Sequence, residues 1–458
     1  MNRRPRLAWA SPLPPASSGI ADYSADLLPE LARRADLELF VDGSSRADDP
    51  LATRHPCRQL SALDSREAGR FDFVVYQIGN SAPHHAAIYR KAVEIPGVVV
   101  LHEFMLHHLV REMTLARGDA RGYVHEMRYC AGRSGELAAR RLLDTHFPVD
   151  VWSFPLFERL VDRGLGVIVH SEFARQRVLA SRPLARVERV PMGIELAPPG
   201  LDSGGSEERG RTRAALGIAD QAFLIATFGF VTPQKRLEPA LAAFAKLRAE
   251  HPTARFAIVG EVSPHYDLDE VLARTEAGGV AVVGRVQPER FTDWMRACDL
   301  AVNLRHPTGG ETSASLLRLM ALGRPVVVST TGSFAEVPEG ACIQLPLDAF
   351  EAETLAELFR RLAASRELSQ AIGAAARRFV EREHSLAASA ESYVAALVRL
   401  FEAPMAPIAP CPPLVAGPVA DPWPTLFAAV GSELADLGLG EDDEESLAEI
   451  SARLAELA

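Results

Sequence analysis

In the run His306-Pro307-Thr308-Gly309-Gly310-Glu311-Thr312-Ser313, two glycines stand directly before a carboxylate and two hydroxyl side chains. Gly309 and Gly310 let the backbone turn tightly and come close to a ligand, and Glu311, Thr312 and Ser313 supply an N-cap and a first turn. Leu316, Leu317, Leu319 and Met320 then give a helix an apolar face, Gly323 falls where a C-terminal cap is expected, and Pro325 forbids continuation. The unpaired N–H groups and positive dipole end of such a helix form an anion site suited to a diphosphate. The same pattern can also do no more than cap a structural helix.

Other residues could serve the same chemistry. Lys235 and Arg236 follow an apolar run, Phe223–Phe228, and a metal-free diphosphate leaving group needs such cations. The chain holds only three lysines, Lys91, Lys235 and Lys246, so one placed here is suited to a compact phosphate contact. Near the N-terminus Ser17-Ser18-Gly19 precedes a helical pattern carrying Asp22, although a glycine at a helix start is often only a cap. His102 ends the run Val98–Leu101, and the carboxyl ends of parallel strands are where α/β sheets bind ligands. His107 and His108, in the helical pattern that follows, read as packing or surface residues. His102, Glu103 and His107 lack zinc-ligand spacing, so no metal is expected. Ser171 reads as an N-cap and not as a nucleophile.

The elements that must position these groups are βα units. Continuous apolar runs, each followed by a polar turn and a helical pattern, predict strands at Leu7–Ala10, Leu37–Val41, Phe73–Tyr76, Val98–Leu101, Val167–Val169 and Val187–Val190. A second set falls at Phe223–Phe228, Phe256–Val259, Val280–Val283, Leu300–Leu304 and Val326–Ser329. The expected division is a Rossmann-like domain over 1–196, a linker over 197–210, and a second Rossmann-like domain over 211–384. A helix over 385–402 is expected to cross back to the first domain. A Pro-rich linker follows over 403–425, then an acidic helical tail over 426–458 that could dock a protein partner.

Composition bounds the function. Of 458 residues 48% are hydrophobic and 24% charged, with a formal net charge of −11; this is an ordinary globular chain with no nucleic-acid surface. Five scattered cysteines without CxxC spacing fit a reducing compartment, hence a cytoplasmic location. The apolar run at Leu7–Ala10 is too short for a signal peptide, and no stretch reaches the roughly 20 apolar residues that span a bilayer, so membrane contact is at most peripheral.

The stretch Leu319–Val326 resembles the signature of family-4-type retaining glycosyltransferases, two glutamates separated by seven residues and then Ala-Met-Ala-x-Gly-x-Pro-Val. In register the glutamates fall on Gly310 and Arg318; Glu311, one position late, takes over the donor-sugar role, and Arg318 cannot accept hydrogen bonds from a ribose. Gly-Glu-Thr-Ser followed by Gly332–Gly340 resembles a bacterial subgroup in which the glutamate pair is rewritten. The stretch Phe228–Arg236 resembles the family's diphosphate-gripping Gly-Arg-x-x-x-x-Lys-Gly, with Lys235 matched and Arg236 in place of glycine. Gly19 matches the glycine of the family's first loop, and Asp22 would orient the acceptor. His102 matches the histidine that contacts donor hydroxyls, while Arg285 and Val286 fall in the nucleotide-base region. The resemblance implies a GT-B fold, an α/β architecture of two Rossmann-like domains facing a cleft, acceptor-binding over 1–196 and nucleotide-sugar-binding over 211–384, with a C-terminal helical extension. It implies transfer of a sugar from a nucleotide-diphosphate donor, a co-substrate and not a cofactor, to a saccharide, lipid-linked or protein acceptor. Configuration would be retained without metal, in polysaccharide or glycan biosynthesis. A non-catalytic sugar-nucleotide or partner-binding protein with a degenerate active site is the alternative.

Overall fold

The computed structural model describes residues 3–43, 54–196 and 206–402. Its first sheet contains β1 (Arg6–Ala10), β2 (Asp36–Val41), β3 (Cys57–Gln59), β4 (Phe73–Ile78), β5 (Val98–Leu101), β6 (Gly166–Val169) and β7 (Val187–Arg189), in the order β3-β2-β1-β4-β5-β6-β7. The second contains β8 (Leu224–Phe228), β9 (Arg255–Val259), β10 (Val280–Gly284), β11 (Leu300–Asn303), β12 (Val326–Ser329) and β13 (Ile343–Leu345), in the order β10-β9-β8-β11-β12-β13. Every pairing is parallel. The inner strands are apolar without alternation because helices cover both faces; all four residues of β5, β6, β11 and β12 are buried.

In each sheet the strand order reverses once, between β1 and β4 and between β8 and β11. Loops leaving the carboxyl ends on either side of such a reversal diverge and open a crevice. The loops bearing Lys235 and Gly309–Ser313 leave β8 and β11, so topology alone sets them on the two lips of one crevice.

The chain returns to the first domain at its described end. Helix Leu386–Glu402 follows helix Arg366–Glu383 and packs on helix Gly19–Ala32. Its Tyr393 hydroxyl lies 3.3 Å from that of Tyr23, its Tyr393 ring stands 5.7 Å from Trp9, and Phe401 meets Phe73 at 4.9 Å. Tyr393, Leu397 and Leu400 are buried in the core shared with both sheets, each stabilising the packing by about 2 kcal/mol. Where the chain passes between domains its two crossings touch. Ile194 N donates to His384 O at 2.9 Å, His384 Nδ1 lies 2.8 Å from Met192 O, and Ser389 Oγ donates to Pro191 O at 2.9 Å.

Two readings of the sequence change here. Residues 206–210, expected as linker, begin the helix Ser206–Ala215, held by Arg209 and Arg213 on Asp299 at 2.5 and 3.1 Å. The short edge strands β3 and β13 were not expected. Residues 197–205, the Pro-rich segment and the acidic tail lie outside the described residues. Among the described residues no helix is long and apolar enough to cross a membrane.

Candidate functional site

The helix start foreseen at Gly309–Ser313 is present. Ser313 caps helix Ala314–Ala321, its Oγ accepting from Leu316 N at 3.2 Å, and Ser313 and Thr312 line a cavity of about 250 Å³ together with His170, Arg189, Ser333 and Arg382. The two preceding glycines do more than turn. Gly310 has φ of +80°, and a Cβ on it would lie 2.4 Å from the Phe104 ring. A Cβ on Gly309 would lie 3.0 Å from Met105 Cβ and 3.2 Å from Glu103 Oε2. Phe104 N donates to Gly309 O at 2.8 Å. The loop after β11 therefore rests directly on the segment after β5, and only residues without side chains permit that approach.

Three further contacts span the two domains. Arg285 donates to Ser17 Oγ at 2.7 Å, Arg318 pairs with Asp26 at 3.2 Å, and the Glu336 carboxylate accepts from Glu172 N and Phe173 N at 3.0 and 2.6 Å. The last sets a carboxylate on the N-terminus of helix Glu172–Ser181, where the dipole favours negative charge. Gly19 opens helix Gly19–Ala32 under a Ser18 cap, with open space where a Cβ would stand. Asp22, in the first turn, is exposed; desolvation raises its pKa, while Arg318 and then Arg285 oppose the rise. Val286 is partly buried and packs against the core.

Lys235, on the loop after β8, is buried, its Nζ donating to Phe228 O. Burial, and secondarily Arg305, hold its pKa well below the usual lysine value, with Glu311 opposing. An anion arriving beside it would restore the ammonium.

Three of the expected site residues are engaged by protein partners. Arg236 has φ of +49°, and its guanidinium turns away to a bidentate pair with the buried Glu351, with Nε at 3.0 Å from each carboxylate oxygen. Glu311 is bound within its own loop: Oε2 accepts from Thr308 Oγ1 and Gly309 N, each at 2.9 Å, and Oε1 lies 2.9 Å from Arg305 Nε. This carboxylate shapes the loop.

His102 is 8% exposed, with both ring nitrogens engaged. Its Nε2 is 2.7 Å from Gln77 and its Nδ1 is 3.3 Å from His170 Nε2, while His170 Nδ1 is 2.9 Å from Val190 O. A carbonyl only accepts, so His170 carries its proton on Nδ1 and accepts at Nε2; His102 then donates from Nδ1 and accepts at Nε2. The Gln77 amide satisfies the chain by turning its Nε2, otherwise partnerless among the described residues, toward that ring. Burial, then His170 and His85, hold His102 well below its usual pKa, and burial brings His170 down to about 4, so both stay neutral. His102 offers no free nitrogen to the crevice.

Glu103, Arg305, Gln77, His170 and Glu336 were not singled out as site residues, although His170 and Glu336 fall in runs that the resemblance covers. Ser171 is the N-cap expected, accepting from Ala174 N at 3.1 Å, and His107 packs, bound to Phe154 O and Tyr123 Oη at 2.7 and 2.9 Å.

Two parallel sheets, each with one reversal and with their carboxyl-end loops in contact, define a GT-B fold. Residues 222–365, which contain all of the second sheet, match the family model described as glycosyl transferases group 1. The chain is similar to D-inositol 3-phosphate glycosyltransferase of Streptomyces griseus, 28% identical over 232 residues, 47% of each chain. It is also similar to alpha-monoglucosyldiacylglycerol synthase of Streptococcus pneumoniae, 27% identical over 165 residues, 35% of this chain and 36% of that one. The match thus spans about half or less of these relatives' own length. Among solved structures, Anabaena HepE in complex with UDP superposes with a TM-score of 0.60 at 16% identity, covering 86% of this chain and 100% of that one. WaaG, a glycosyltransferase involved in lipopolysaccharide biosynthesis, superposes with a TM-score of 0.54 at 15% identity, over 86% and 99%.

Proposed function

We propose that this protein is a glycosyltransferase that moves a sugar from a nucleoside-diphosphate donor, in the first instance a UDP-sugar, to a saccharide, lipid-linked or protein acceptor. The observation that carries the reading is the coincidence of the matched segment 222–365 with the crevice that holds Lys235 and the capped helix start at Ser313. HepE structures with UDP and with UDP-glucose share the fold, which supports a uridine nucleotide as the first donor to test. In this reading the diphosphate sits on the free N–H groups of helix Ala314–Ala321, and Lys235 regains its charge as the leaving group develops. The first domain presents the acceptor near Gly19 and Asp22. Closure of the cleft through Phe104, Ser17 and Glu336 excludes water, so that transfer outruns hydrolysis. Retention, independence of metal, and a place in polysaccharide or glycan assembly belong to the proposal through the family-4-type resemblance. So does a cytoplasmic location with at most peripheral membrane contact, and docking of a protein partner on the acidic tail.

The test is a panel of UDP-, GDP- and ADP-sugars in calorimetry and turnover assays with EDTA present, comparing wild type with Lys235→Ala. The proposal expects one donor to bind without metal and to lose at least about tenfold in affinity in the variant. Binding of that donor with no turnover on any acceptor would favour the degenerate-site alternative. No binding of any nucleotide sugar would end both readings.

A further inference from the structure

Two polar residues follow β5, and they part company. His102 is drawn down into the His170–Gln77 chain and closed off from the crevice. Glu103 goes the other way. Its Oε1 accepts from Asn80 N at 3.2 Å, and its Oε2 faces Gly309, 3.2 Å from the point where a Cβ would stand. The same point is 3.5 Å from Glu311 Oε2, so the first domain offers one carboxyl and the second another across a glycine at the closing contact. Facing Glu103 are Glu311 and Arg305 from the second domain and the Asn80 amide from the first.

We propose that Glu103 is the first domain's hydrogen-bonding contact to the sugar of a bound nucleotide-sugar donor. The proposal rests on the transferase reading above. If the second domain holds the diphosphate at Lys235 and the helix start, the part of the donor left to face the first domain is the sugar. Of the two polar residues after β5, Glu103 is the one whose carboxyl meets the second domain, at Gly309. A protonated carboxyl can donate and accept at once, as a sugar hydroxyl requires. A carboxylate there would face Glu311 and the donor's own negative charge. The environment holds the proton: burial, and then Glu311, push Glu103 up to about 8, against smaller opposing effects of the Asn80 amide and Arg305.

The experiment is calorimetric titration of the full chain with UDP and with UDP-glucose from pH 6.5 to 9.5, for wild type, Glu103→Gln and Glu103→Ala, with thermal melting as a check on folding. The readout is the ratio of UDP-glucose to UDP affinity, which cancels whatever Lys235 does to the nucleotide. In wild type the ratio is expected to fall about tenfold as pH rises through 8. In Glu103→Gln, which keeps a donor and an acceptor at every pH, the ratio stays flat. Glu103→Ala shows the tenfold loss already at pH 7. An unchanged ratio in Glu103→Ala, or a wild-type pH limb retained in Glu103→Gln, overturns the proposal while leaving the transferase reading intact. Wild-type protein that binds neither UDP nor UDP-glucose overturns the UDP-sugar reading, and this proposal with it.

Discussion

Replacing Gly310 by alanine sets two separable costs against each other. The first is conformational: Gly310 sits at φ of +80°, and an L-residue held in that region costs about 1–2 kcal/mol in any arrangement of the domains. The second is steric and belongs only to the closed cleft, because the added Cβ would stand 2.4 Å from the ring of Phe104, a residue of the other domain. Phe104 cannot swing freely; it is buried, with the Phe157 and Phe173 rings at 6.1 and 5.8 Å. Overpacking of this kind costs about 1–3 kcal/mol. Opening the cleft relieves the second cost and leaves the first. Gly310→Ala should therefore lower the unfolding free energy by about 1–2 kcal/mol, raise the radius of gyration in small-angle scattering, and raise the KM for donor. Phe104→Leu withdraws the ring edge while keeping the site filled, and the double variant should recover about 1–2 kcal/mol of closure in a double-mutant cycle. Strict additivity of the two substitutions, or a Gly310→Ala protein as compact and as tight-binding as wild type, would refute the contact as the reason for glycine here.

Three further outcomes are expected. Arg236→Met leaves the buried Glu351 without its partner and should lower stability by about 1–3 kcal/mol in urea unfolding while changing donor affinity less than about twofold; a selective loss of donor binding would restore Arg236 to the diphosphate. Glu336→Ala removes both acceptors at the start of helix Glu172–Ser181; because this carboxylate is exposed, the loss should be about 1 kcal/mol of closure, visible in scattering with the thermal midpoint nearly unchanged. Burial brings His85, His107 and His170 each down to about 4. The stability held by their neutral forms is complete above the usual histidine value near 6.5 and is lost as pH falls from there toward 4, at up to about 1.4 kcal/mol per pH unit for each. Urea midpoints measured at pH 7, 6 and 5 should fall steadily, and a flat profile would contradict the burial of these rings.

The inner strands were legible in the sequence because strands covered on both faces are apolar at every position, as Val98–Leu101 and Val326–Ser329 are. β3 escaped because Cys57-Arg58-Gln59 lies at a sheet edge, where nothing demands apolar residues on both faces. The helix start at Ser313 could be read because caps are local, governed by residues within one turn. The direction of His102 could not. Successive residues leaving a strand point to opposite sides, and whether the histidine or the following glutamate turns inward depends on His170, which lies 68 residues away. Arg236 shows the same limit: its partner Glu351 lies 115 residues downstream, and nothing in its neighbours announces the pair. The tying of Glu311 by Arg305 and Thr308 is local in sequence, but carboxylates beside glycines occur both as loop braces and as ligand contacts, and only geometry separates the two.

The two passages between domains lie side by side, joined through Ile194, His384, Met192, Ser389 and Pro191. A single tether lets one body swivel in any direction about the other. Two tethers fastened to each other act as a door hinge, which permits swing about one axis and resists twist. The loop of Gly309–Ser313 must therefore leave and return to Phe104 along nearly the same arc at every opening. Pro191 and His384 of the paired tethers also line the cavity at Thr312 and Ser313, so the hinge and the capped helix start share one wall, and a substitution that loosens the tethers should blur alignment at that cavity.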